Sequence, residues 1–338
     1  DGCTPGARED PACSGGAGAA DRQGLAPAPV LVSWGSAAAA RDADEEERLG
    51  TGWRHMHKRW LPDVFSDIVD SYRASVFEAL RNATHFRGFR RDEAYEGVVE
   101  TVTASEGLEH LRHLQQSSPW LLDLAHAGKL IDLVGSPRTH DFGPMVGSLS
   151  PTTLRYVRVV GDLLEEFGDL ACLVRRGRWR VLEIGAGFGG LRLMWHLVAP
   201  LLEYVILDLP EVMLLIRKVL AHFPSASTLT DFAGLDLLAD GRLFDLCIST
   251  FAFTEFQPEY QHEIMSLIFP RCRRGFIIDN AFSFGPSSLV GRRLSHALGK
   301  MAIVRTENIV WGAYRLRKVF WMARAANWTA KLACQSEG

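Results

Sequence analysis

The stretch Arg180–Val212, RVLEIGAGFGGLRLMWHLVAPLLEYVILDLPEV, limits what this chain can fold into more than any other. An apolar run (Val181, Leu182, Ile184) ends in a glycine-rich turn of Gly185, Gly187, Gly189 and Gly190. Leu191, Met194, Trp195 and Val198 then follow at helical spacing. A second apolar run, Tyr204 to Leu207, ends on Asp208. The order predicts strand, glycine turn, helix, strand, acid. Residues without a side chain let backbone N–H groups and a helix N-terminus approach a ligand closely. An acid at the tip of the second strand accepts both hydroxyls of a ribose. The stretch therefore predicts a parallel sheet that holds a nucleoside-containing ligand.

Gly185, Gly187 and Gly190 satisfy G-x-G-x-x-G, the dinucleotide fingerprint. Glu183, two residues before the first glycine, tilts the choice towards S-adenosylmethionine. A carboxylate there suits a ligand that carries an ammonium and a sulfonium, and it would repel a pyrophosphate. Three readings stay open: S-adenosylmethionine, a dinucleotide, and a glycine-rich βα turn with no ligand.

A chain of 338 residues is long enough for a full α/β domain and a smaller accessory region. With 37 basic and 40 acidic residues the net charge is −3, so no basic excess points to nucleic acid or an anionic membrane. No apolar run is long enough for a membrane span. The six cysteines show neither C-x-x-C nor a zinc spacing, and Cys247, in an apolar strand, reads as a plain core residue. The default expectation is a soluble, cytoplasmic chain whose start, Asp1, is processed or truncated.

Residues 1–50 are rich in Gly, Ala, Pro and charge, and read as a disordered leader. Residues 51–150 read as a helical accessory region on the acceptor side. Pro62 starts a helix whose stripe is Val64, Phe65, Ile68, Val69, Tyr72, Val76, Phe77 and Leu80. Further helices fit Ala104–Gln116 and Pro119–Ala127, and a loop fits Gly135–Gly147. His110 and His113 share a helix face with no carboxylate spaced for a metal, and read as solvated or capping residues; no metal site is expected. Residues 151–324 read as the ligand-binding domain, opened by Ser150-Pro151 as an N-cap and first helical position. Strands fit Ser227–Thr230, Phe244–Thr250 and Gly275–Asp279, and two last β segments lie between Met301 and Met322. Residues 325–338 are an unassigned tail.

Several separated motifs then converge. Leu154-Arg155-Tyr156 and Phe167-Gly168 precede the glycine turn, and Glu183-Ile-Gly-Ala-Gly-Phe-Gly-Gly190 forms it. Asp208-Leu-Pro-Glu-Val212, Ser249-Thr-Phe-Ala-Phe-Thr-Glu255 and Asn308-Ile-Val-Trp-Gly312 follow. In these motifs the chain resembles the class I S-adenosylmethionine-dependent methyltransferases, and within them the sugar O-methyltransferases, over about Gly135 to Gly312. Ala186 and Phe188 depart from that group's Gly and Tyr. The resemblance implies a Rossmann-like, mostly parallel seven-stranded sheet with its last strand antiparallel. It implies S-adenosylmethionine as cofactor, held by Glu183, Gly185, Gly187, Phe188, Gly189, Asp208 and Leu209. It also implies methyl transfer to a hydroxyl of a sugar or small polyol.

In such a sheet ligands bind beyond the carboxyl ends of the strands. Glu255, in the apolar run FAFTEF, is the first candidate base, with His140 and Asp141 as alternatives. Arg155, Asp279 and Asn280 are candidates for holding the acceptor, a small molecule or glycan. A nicotinamide-dependent oxidoreductase and a non-catalytic scaffold of the same fold remain as rival functions.

Overall fold

The computed structural model describes residues 66–167, 179–199, 203–232, 241–279, 289–311 and 314–324. The expected leader 1–50, the tail 325–338, Pro62, Gly168, Asn280 and Gly312 lie outside them. Among the described residues, β1 (His140–Asp141) and β2 (Ser148–Leu149) form a small antiparallel pair. The main sheet comprises β3 (Arg180–Ile184), β4 (Glu203–Leu207), β5 (Thr230–Phe232), β6 (Leu246–Thr250), β7 (Arg274–Asp279), β8 (Ala302–Trp311) and β9 (Tyr314–Ala323). Their spatial order is β5-β4-β3-β6-β7-β9-β8. Strands β3 to β7 pair in parallel, while β9 runs antiparallel to both β7 and β8. This is the Rossmann-like sheet with an antiparallel last strand that the motifs imply. The strand order reverses between β3 and β6, and open α/β sheets bind ligands at such a crevice.

The helices that matter for the site are α1 (Ser66–Arg81), α2 (Ala104–Ser117), α3 (Pro151–Glu166), α4 (Gly190–Val198), α5 (Pro210–Leu220) and α6 (Ala252–Glu255). Shorter helical turns lie between them. The starts of α2 and α3 are chemically marked. Thr103 and Glu106 form a capping box at α2, and Ser150 Oγ accepts from Thr152 N ahead of Pro151 in α3. Helix α3 packs against both α2 and α4 and buries every residue from Pro151 to Leu164. That explains why it carries Arg155, Arg158 and Asp162 inside.

The helical cap and the sheet share one core, which joins Val76, Phe86 and Leu111 to Val181, Ile206 and Phe276. Polar ties reinforce the junction. Arg73 on α1 pairs with Glu211 on α5. Lys218 Nζ donates to Ala79 O and Leu80 O at 2.9 and 2.8 Å, near the C-terminal end of α1, where a cation is favoured. Arg90, fully buried, reaches Glu100 at 2.5 Å and Asp132 at 3.2 Å, and its guanidinium lies 4.0 Å from the centre of the Phe188 ring.

Three expectations change. The segment Pro224–Thr228 is a helical turn, because Pro224 is preset for a first helical position, so the third strand of the sheet shifts to Thr230–Phe232. Cys247 is not a plain core residue but is disulfide-bonded to Cys272, which the turn before β7 carries back beside β6. Gly135–Gly147 is not all loop, since it contains β1. No described helix is long and apolar enough to cross a membrane.

Candidate functional site

A cavity of about 400 Å³ opens beyond the carboxyl ends of β3, β4 and β6. Gly185, Ala186, Gly187, Asp208 and Leu209 form one part of its wall. Gly185, Gly187 and Gly189 have φ of 75°, 60° and 84°, a region that favours glycine. A Cβ on Gly185 would overlap the Cβ of Ala252, so this glycine also lets the turn lie against the start of α6. Asp208 is partly buried, and its carboxylate accepts from Ala186 N and Leu209 N, each at 2.7 Å, and from Gly187 N. Burial nevertheless pushes its carboxyl up to about 7.

Glu183 is the second acid of this wall and is 1% exposed. Tyr204 Oη donates to its Oε2 at 2.8 Å. Burial pushes its carboxyl up to about 8, since one phenol hydrogen bond and the nearby Arg192 only partly offset the desolvation. A cation arriving in the cavity would remove much of that penalty.

The other side of the cavity is built from the cap and from the ends of β6 and β8. Tyr72, Val99, Thr101, Glu106, His110, Arg155, Phe251, Glu255, Phe256 and Trp311 contribute to it. Phe251 has φ of 77°, a strained value for a residue with a ring, at the step from β6 into α6. Its ring lies 6.3 Å from that of Trp311, centre to centre. Glu255, the last residue of α6, also lines the cavity.

His110 is 1% exposed, with its Nδ1 3.1 Å from Arg158 Nη1 and its ring edge-on to Trp311. A guanidinium only donates, so Nδ1 accepts and the neutral ring keeps its proton on Nε2. Burial, with Arg158 and Arg155 adding to it, pushes this imidazole down to about 3. It is therefore a hydrogen-bond donor at neutral pH and not a base. The expectation of a solvated or capping histidine is corrected. The capping box held the signal, because Glu106 fixes the register of α2 and His110 lies four residues on, on the same face.

The structure separates other expected site residues from this cavity. Phe188 is fully buried between Arg90 and the edge of Tyr156, and serves the core. Gly189 packs its Cα side against Ile216. His140 and Asp141 are exposed on the β1–β2 pair. Asp141 accepts from Gly143 N at 2.9 Å, and His140 lines a separate cavity with Glu96, Glu100 and Arg138. The segment 97–102 stands between them and the glycine turn, which the linear order did not reveal. Asp279 is buried behind α6, hydrogen-bonded to Thr254 and level with Arg317 on β9. Burial pushes its carboxyl up to about 6. His113 meets Asp162 at 3.4 Å after all, near Glu165, yet Lys318 at 2.8 Å already supplies Asp162 with a counter-charge.

No family model and no curated protein sequence matches the chain. Solved structures match parts of it. A precorrin-6Y C5,15-methyltransferase from Geobacter metallireducens aligns over 46% of this chain and 87% of its own, with 12% identity and a TM-score of 0.33. The glycopeptide N-methyltransferase MtfA complexed with S-adenosyl-L-methionine aligns over 46% and 87%, with 13% identity and a TM-score of 0.36. The METTL16 methyltransferase domain aligns over 60% and 79%, with 14% identity and a TM-score of 0.40. Similarity at that level does not identify a reaction or a substrate.

Proposed function

We propose that this protein transfers a methyl group from S-adenosylmethionine to a hydroxyl of a sugar or related small polyol. The observation that carries this is one cavity lined by Asp208 and the glycine turn, the buried Glu183, and Glu255. The turn and Asp208 suit the ribose of a nucleoside. Glu183 favours a ligand with a cationic end over a pyrophosphate, because a fully desolvated carboxylate is stabilised only by a positive neighbour. The rings of Phe251 and Trp311 offer flat apolar surface to the C–H face of a sugar, while Glu255 offers an acceptor to its hydroxyls.

The cofactor is a sulfonium that supplies the methyl group. Glu183, Gly185, Gly187, Asp208 and Leu209 would hold it and so set the methyl carbon against an acceptor oxygen; such positioning is a large part of the rate. With the cofactor bound, the methyl carbon would pass from sulfur, which keeps the electron pair, to an acceptor oxygen, and the Glu255 carboxylate would take up the hydroxyl proton and hand it to solvent. His110 stays neutral and donates through Nε2–H, orienting a hydroxyl lone pair without competing for the proton.

Methyl-labelled S-adenosylmethionine incubated with the full chain and a panel of glycans and polyols tests the proposal. Label moving to a hydroxyl product supports it. Tight binding of reduced nicotinamide with no affinity for S-adenosylhomocysteine would overturn it in favour of a dehydrogenase.

A further inference from the structure

Arg155 projects from α3 into the wall of the cavity, yet it is only 8% exposed. Its Nη2 donates to Val99 O at 3.0 Å and its Nη1 to Thr101 Oγ1 at 3.4 Å. Its Nε is buried without a partner. Among the described residues no carboxylate lies within ion-pair distance of it. The cap's other buried arginines are paired, Arg90 with Glu100 and Asp132, and Arg158 with Asp162 at 3.9 Å. The guanidinium of Arg155 instead rests near the rings of Phe251 and Tyr156, 5.4 and 5.6 Å from their centres. Ring faces compensate a buried cation far less than an anion does. Each Nη keeps one hydrogen uncommitted by these bonds, and a guanidinium fork matches the two oxygens of a carboxylate. His110, whose Nε2 carries the ring proton, lines the same cavity as a second donor.

We propose that Arg155 is a carboxylate receptor inside this cavity, supplying the counter-charge for an acidic group of the ligand bound beside the glycine turn. This rests on the methyl-transfer proposal, which puts two molecules there. The carboxylate belongs either to the amino-acid end of the cofactor or to an acid-bearing acceptor such as a uronic acid. The chemistry of the receptor is the same for both.

The test uses the full chain as wild type, Arg155→Met and Arg155→Lys, with melting temperature measured for each. S-adenosylhomocysteine and 5′-methylthioadenosine, which lacks the amino-acid end, are titrated calorimetrically. If Arg155 holds the cofactor, Arg155→Met weakens S-adenosylhomocysteine about 10–100-fold and leaves methylthioadenosine unchanged, while Arg155→Lys recovers part of the loss. If both nucleosides bind the variants as they bind wild type, the S-adenosylhomocysteine complex is titrated with D-glucuronate and 4-hydroxybenzoate. Saturable binding that disappears in Arg155→Met assigns the carboxylate to the acceptor. Absence of that binding in wild type, or its persistence in Arg155→Met, overturns the proposal. So does equal weakening of both nucleosides, which marks a residue that only shapes the wall. Should Arg155→Met not fold, Arg155→Lys takes its place in both arms, because a single ammonium lacks the guanidinium fork and must weaken either S-adenosylhomocysteine without methylthioadenosine or the binding of D-glucuronate. Wild type that binds neither nucleoside refutes the methyl-transfer proposal itself, an outcome distinct from any of these.

Discussion

Glu183→Gln separates stability from binding, with opposite signs. In the empty cavity burial raises the Glu183 carboxyl from its ordinary 4.5 to about 8. Between those values the folded chain keeps a proton that the unfolded chain has released. Stability therefore falls as pH rises through that window. At pH 7 the gap from the ordinary value is about 2.5 units, and each unit is worth about 1.4 kcal/mol, so the carboxyl costs the empty protein on the order of 3–4 kcal/mol. Gln removes the ionisation, keeps the shape, and can still accept from Tyr204 Oη through its amide oxygen. The empty variant should melt above wild type at pH 7.5, at roughly 2–4 °C per kcal/mol for a chain of this class. The difference should shrink below about 1 kcal/mol at pH 5. Affinity for S-adenosylhomocysteine should move the other way, at least about tenfold weaker at pH 7.5, because the cationic end of the ligand loses its partner. Wild type should release roughly 0.5–1 proton on binding at pH 7, read as a dependence of the calorimetric enthalpy on the buffer's ionisation enthalpy. A variant no more stable than wild type at pH 7.5, or a stability gap that ignores pH, would refute the assignment of Glu183 as a buried acid awaiting a cation.

Gly185→Ala adds a side chain at positive φ that collides with Ala252, so it should lose about 2–4 kcal/mol in urea unfolding and bind S-adenosylhomocysteine poorly; unchanged binding would mean that the turn and α6 do not meet as described. Arg90→Met leaves Glu100 and Asp132 buried without their cation and should cost about 3–5 kcal/mol, with a smaller loss if Glu100→Gln is made alongside it. Glu255→Gln should keep the melting temperature and cofactor affinity but lower turnover by about 10²–10⁴-fold on any acceptor found by the panel; full activity would move the search for the base elsewhere on the cavity wall.

The parts of this protein legible in its sequence are those set by local chemistry. Strand β3, the glycine turn, α4 and β4 follow one another with no insertion, and their apolar runs, glycines and acid each act within a few residues. Ser150-Pro151 fixed a helix start in the same way. What the sequence hid depends on pairs brought together from far apart. Arg90 finds Asp132 across 42 residues, and Lys218 finds Leu80 across 138. Cys247 and Cys272 meet only because parallel neighbours β6 and β7 return to the same edge. Arg158 turned His110 from an expected surface histidine into a buried donor, which periodicity cannot foretell. Phe188 and Gly189 sit inside the fingerprint yet pack on Arg90 and Ile216, which the spacing of the motif does not show.

Phe251 shows how the site draws these distant parts together. A ring-bearing residue at φ of 77° costs on the order of 1–3 kcal/mol, and persists only where its surroundings hold it. Here Phe251 N donates to Ile278 O of β7 at 2.9 Å, and Thr254 N donates back to Phe251 O at 3.1 Å. Ser249 Oγ bridges Ile184 O of β3 and Phe253 N at 2.8 and 3.0 Å. Glycine would adopt this backbone more readily, but it would leave Arg155 and Trp311 without the ring between them. The strained turn starts α6 one residue beyond β6, which seats Ala252 against Gly185 and carries Glu255 to the cavity. One residue's strain thus connects the cofactor side, the candidate base and the unpaired arginine. A Phe251→Gly chain should therefore gain backbone ease while losing the alignment of all three.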